Sequence, residues 1–120
     1  MIPTGPRKVC SQDFQDLCLR QTHLPAQSST HGDLQVRCCN LHKTESSSLD
    51  VWEYTPGEFE WQVDADLSAC VLSGSGELDL SDGRLLCLRP GTAVFLPRGL
   101  HGRWVIKETL RTVSVKGRAA

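Results

Sequence analysis

The residues of this chain that could do chemistry are few and scattered. Four histidines and six cysteines occur in 120 residues, and such groups act when several converge on a metal or when a nucleophile lies beside a base. The tightest grouping is Cys38-Cys39-Asn40-Leu41-His42. Neighbouring Cα atoms lie about 3.8 Å apart, shorter than a usual disulfide span, so a bridge between Cys38 and Cys39 would be strained. On a strand the two thiols also face opposite sides, which prevents both from ligating one ion. They read as buried structural cysteines. His23 and His31 stand in a polar stretch and read as solvated, and His101 follows the Pro97-Arg98-Gly99 turn as a loop histidine.

Charge and length narrow the alternatives. Thirteen basic and fourteen acidic residues give a net charge of −1, and no basic run could neutralise a series of phosphates, which argues against nucleic acid as a partner. The first residues lack the apolar run of about 7–15 residues of a secretory signal. Nothing approaches the roughly 18 apolar residues of a membrane span. The expectation is a cytoplasmic, soluble protein with no membrane partner, whose six cysteines stay reduced. A chain of this length forms one domain burying roughly two thirds of the surface it exposes unfolded.

The elements that must position any site are strands. Residues 1–32 read as an irregular N-terminal extension, with one short helix over Ser11–Arg20 capped by Ser11 and carrying Phe14, Leu17 and Cys18 on one face. Leu34-Gln35-Val36-Arg37-Cys38 alternates as a half-buried strand does. Val51–Thr55, the Pro56-Gly57 turn and Glu58–Val63 predict a hairpin with Phe59, Trp61 and Val63 on one face. Ala69–Leu72 is expected to end at Ser73-Gly74-Ser75-Gly76, before Glu77–Leu80, the Asp82-Gly83 turn and Leu85–Leu88. Arg89-Pro90-Gly91 turns into Thr92–Leu96. Arg103–Ile106 and Thr109–Val115 follow as separate strands. Some eight short strands without a long helix predict an all-β barrel or jelly roll over residues 33–116, with 117–120 as a tail.

One stretch carries a family. Gly91-Thr92-Ala93-Val94-Phe95-Leu96-Pro97-Arg98-Gly99 places a Gly, five residues, a Pro, one residue and a Gly as a signature of the cupin barrels does. With Val51–Phe59, Val71–Gly74, Arg89–Gly91, Gly102–Trp104 and Glu108–Arg111, the ordered blocks resemble the small cupins related to the cupin domain of ureidoglycine aminohydrolase. The resemblance implies a cupin-type jelly-roll β-barrel, paired as a homodimer, with a small-molecule pocket inside. In metal-binding cupins three histidines and a glutamate hold a divalent ion. Here the glutamate position falls on Leu67 and the second-motif histidine position on Gly102. The first-motif positions fall on Glu60 and Gln62, on Trp61 and Val63, or on Val63 and Ala65. His101 is one residue from the Gly102 position, and a one-residue shift on a strand reverses the face. Two places that hold Lys and Tyr in the family's last strand hold Thr112 and Ser114 here.

The blocks thus imply a cupin without an intact metal site or cofactor, binding a small polar metabolite or serving a structural or regulatory role. The ligand-binding candidates are Trp52, Glu53, His101, Trp104 and Arg111. Trp104 is expected to face inward, and Glu53 and Arg111 would also suit a plain cross-strand ion pair. The alternative is a metal-dependent hydrolase or isomerase of small nitrogen-containing metabolites, which would have to draw ligands from His42, His101, Glu53 and Glu60. Homodimerisation is expected through strand edges, Leu85–Leu88 carrying few charges to discourage pairing.

Overall fold

The computed structural model describes residues 19–22, 29–31 and 33–117. Nine antiparallel strands make up the architecture of these residues: β1 (Arg20–Thr22), β2 (Ser29–His31), β3 (Val36–Lys43), β4 (Ser47–Tyr54), β5 (Gly57–Gln62), β6 (Asp66–Leu80), β7 (Leu85–Leu88), β8 (Ala93–Leu96) and β9 (His101–Gly117). The fold is all-β, as the sequence predicts, with no helix among the described residues. The segment read as an N-terminal extension supplies β1 and β2, which pair with β3 and β5. The helix expected over Ser11–Arg20 falls outside the described residues except for Leu19 and Arg20, and Arg20 opens β1.

Two long strands organise the rest. β9 pairs along one edge with β4 and then β5, and along the other with the length of β6. The free edge of β6 takes β8 near its start and β7 near its end. The expected hairpin across Pro56-Gly57 does not form, because β4 and β5 lie end to end against β9 instead of against each other. Arg103–Ile106 and Thr109–Val115 are likewise parts of one strand.

The Ser73–Gly76 stretch is a bend within β6 and not a turn that ends it. The β6–β9 register slips there three times, between Val71 and Gly76. Gly74 sits at φ +89°, and a Cβ on it would lie 2.0 Å from the Thr109 carbonyl oxygen, so the strands cross closer than any side chain permits. The slips also switch which residues point inward: Leu67, Ala69 and Val71 are buried before the bend, Leu78 and Leu80 after it. Each half of β6 thereby turns its apolar side to one interior. That interior holds Val36, Tyr54, Phe59, Leu67, Val71, Leu78, Leu88, Leu96, Trp104, Ile106 and Leu110.

Candidate ligand cavity

Alternation along four strands builds the cavity. Asp50, Trp52 and Tyr54 of β4, Phe59 and Trp61 of β5, Leu67 and Ala69 of β6, and Trp104, Thr112, Ser114 and Lys116 of β9 face one space of about 90 Å³. One wall is a row of aromatic rings. Trp52 stacks on Tyr54 at 6.1 Å, Tyr54 on Phe59 at 5.4 Å and Phe59 on Trp104 at 5.7 Å. Trp61 closes the row, tilted at 6.5 Å from Trp104. Offset contacts of this kind add to plain burial and hold the rings in place.

The polar end is formed where β4 and β9 run side by side. Asp50 accepts from Asn40 Nδ2 at 2.7 Å on one oxygen and from Ser48 Oγ at 2.9 Å on the other. The Lys116 ammonium lies 2.9 Å from Asp64 Oδ1. The formal charges lining the cavity cancel. Cys38, close to Asp50, is pushed up to about 12 by burial first and then by the Asp50 charge and Cys39, so it stays a thiol. Tyr54 is raised too, chiefly by its burial, and stays a phenol.

Two polar atoms in this lining have no hydrogen-bond partner among the described residues: Trp61 Nε1 and Ser114 Oγ. Ser114 is only 4% exposed. Groups buried in this way are rare because each forfeits its bonds to water, so each exception calls for a physical reason.

The five sequence candidates divide between the two faces. Trp52 and Trp104 meet in the cavity wall, and Trp104 points inward. Glu53, next along β4, points the other way and is gripped by two arginines, Arg37 of β3 through Nε at 2.8 Å and Arg111 of β9 through a terminal nitrogen at 2.7 Å. Burial alone would raise the Glu53 carboxyl, but the bonds and charges of the two arginines outweigh it and hold it below the usual carboxylate range. Neither Glu53 nor Arg111 is in the cavity lining, although Glu53 stands between Trp52 and Tyr54, which are. His101 is exposed at the start of β9, opposite Gln62. The sequence reading passed over Tyr54, Asp50, Ser114 and Lys116. Ser114 shares the parity of Trp104, which was the available signal.

The donor set does not fit a metal ion of the kind metal-binding cupins hold. Leu67 faces the cavity where a carboxylate would be needed. A side chain at Gly102 would meet Leu78 at 3.1 Å and Leu80 at 3.2 Å, so that position is filled by leucine. Among the described residues no group of three His, Cys, Asp or Glu side chains is placed to hold a metal ion.

With this geometry in hand, comparison places the chain. Residues 41–113 match the EutQ-like cupin domain. No curated protein matches. Among solved structures, the EutQ protein of Clostridium difficile superposes with a TM-score of 0.65 at 20% identity, over 72% of this chain and 71% of that one. A DUF861 family protein of Thermotoga maritima has 31% identity and a TM-score of 0.51 over 53% of this chain and 73% of its own. The polyketide cyclase RemF of Streptomyces resistomycificus gives 0.69 at 23% identity, over 92% and 80%. The bent β6–β9 pair, the interior it encloses and the matched sequence agree: the chain belongs to the family of EutQ-like cupin domains.

Proposed function

We propose that this domain binds a small metabolite in its aromatic cavity and acts as a binding or regulatory cupin, without metal-dependent catalysis. The observation that carries the reading is the pair of unpartnered polar atoms, Trp61 Nε1 and Ser114 Oγ, in the lining of a space walled on one side by rings. A cavity kept only for packing would be better filled by apolar atoms, since unpaired buried dipoles cost stability. The order of the sequence blocks supports kinship with the ureidoglycine aminohydrolase cupins, and Leu67 and Gly102 at the ligand positions argue that the metal chemistry of such proteins was not kept.

Two copies associate in this proposal, through a face more than through an edge. Leu49, Ser68, Cys70, Ala93, Phe95, Val113 and Val115 form a shallow depression with no charged side chain among its lining. Phe95 is 62% and Val115 47% exposed. A second copy of the same uncharged patch brings no like charges against it, and exposed apolar patches of this kind mark association surfaces.

The ligand reading is tested by ligand-observed NMR against a panel of compact metabolites, with Ala69→Leu to fill the cavity. Binding to the unaltered protein and its loss in the filled variant is the expected result. Equal binding to both proteins, or none to either, would overturn the reading.

A further inference from the structure

Resting on that reading, we infer that the cavity selects a compact carbonyl or carboxylate compound, held by Trp61 Nε1 and Ser114 Oγ. An indole N–H can only donate, whereas a hydroxyl donates or accepts as its partner requires. Both are buried and unpartnered among the described residues. Each oxygen of Asp50, the lining's carboxylate, already accepts one bond, from Asn40 and from Ser48. Lys116, the lining's cation, has one bond to Asp64 and two further N–H donors. A ligand that pairs both orphaned atoms must therefore bring an acceptor, because the indole N–H takes nothing else. A ligand with an acceptor can satisfy both atoms, whereas an ammonium can bond to Ser114 Oγ alone, leaves the indole N–H unpaired and brings a second positive charge towards Lys116.

Aromatic walls also attract cations, which makes an ammonium ligand the natural rival. Here the inner rings spend their faces on one another: Tyr54 stacks on both Trp52 and Phe59, and Phe59 on Trp104. They form a flat apolar wall, suited to hydrocarbon. Size sets the other limit. A cavity of about 90 Å³ is smaller than the roughly 150 Å³ known to hold benzene, so the enclosed part of the ligand is a body of roughly three to five carbons.

The probes are isobutyrate, cyclopentanone and isobutylamine, titrated into the isotope-labelled full chain while the indole N–H signal of Trp61 is followed. Isobutyrate and cyclopentanone are expected to bind and to move that signal, with isobutylamine about tenfold weaker, the worth of one or two net hydrogen bonds. Trp61→Phe, which removes the donor-only indole N–H, should weaken both acceptors by about fivefold and leave isobutylamine unchanged, and Ser114→Ala should weaken both acceptors by a similar factor. Tighter binding of isobutyrate than of cyclopentanone adds Lys116 as a third contact, and equal binding confines recognition to the two neutral donors. Either supports the proposal. Isobutylamine binding as tightly as isobutyrate would overturn this inference while leaving the cavity a ligand site. Failure of all three to bind would overturn both readings.

Discussion

Two faces of one sheet, built from alternate residues of β4, β9 and β6, have opposite fates. Inward, Trp52, Tyr54, Trp104, Thr112 and Ser114 enclose a cavity that rings seal along one wall. Outward, Leu49, Val113 and Val115 continue through Ser68 to Phe95 as an apolar surface left open. The outer face ends at the charged row Arg37–Glu53–Arg111, one register step from Cys39, Val51 and Val113. Apolar residues alone therefore do not mark the site. What separates the faces is where polar atoms go: on the outer face they are paired with each other, and on the inner face two are kept unpaired.

The sharpest way to break that comparison is to delete one large ring from each side. Trp104→Ala, at a position 4% exposed, should lower unfolding stability by about 4 kcal/mol in urea titrations, as large aromatic truncations in cores do. Phe95→Ala, measured on the dissociated protein at high dilution, should stay within about 0.5 kcal/mol of the parent. Equal losses would show that the outer face is packed after all. Next in size is Phe95→Glu, which places like charges at the proposed contact between copies. It should raise the dimer dissociation constant by about 100-fold in sedimentation runs, and a parent protein that is monomeric at high micromolar concentration would remove the proposed pairing.

Glu53 sharpens the account of the outer face. Glu53→Gln should cost about 2 kcal/mol at pH 7, the scale of hydrogen bonds to a charged group. Because the folded carboxyl is held below its usual 4.5, its contribution is complete above that pH and is lost as pH falls through the folded value. The stability gap between parent and variant should therefore narrow below pH 4.5. A gap unchanged down to about pH 2.5 would show that packing and not charge is at stake. The smallest effect belongs to the cavity: Ser114→Ala should leave stability level or raise it by about 1 kcal/mol, since it removes a buried hydroxyl without a partner. A loss of stability would mean that the hydroxyl serves the fold.

The contrast between faces was partly legible in the sequence. Period-two patterning placed Phe59 and Trp61 on one face, and parity counted from the cupin histidine position at Gly102 placed Trp104 inward. The turn at Asp82-Gly83 also stands, with Gly83 at φ +94° between β6 and β7. What could not be read was the bend at Ser73–Gly76, where glycine and serine look like a strand's end although the chain crosses β9 too closely for side chains. Missing that bend splits β6 in two and hides the change of parity at its middle. The placing of β4 and β5 end to end on β9 was equally hidden, since Pro56-Gly57 signals a turn but not which strand lies beyond it. Ser114 was noted only as a departure from a family pattern, because a hydroxyl's lack of a partner is a property of three dimensions.

The most direct test of the division between faces uses neighbours on β9. With methyl-labelled protein, saturating isobutyrate should shift the Thr112 methyl and the Trp61 indole N–H, and leave the Val113 and Val115 methyls in place. Shifts at Val113 and Val115 with Thr112 and Trp61 unmoved would put the ligand on the outer face and contradict the account.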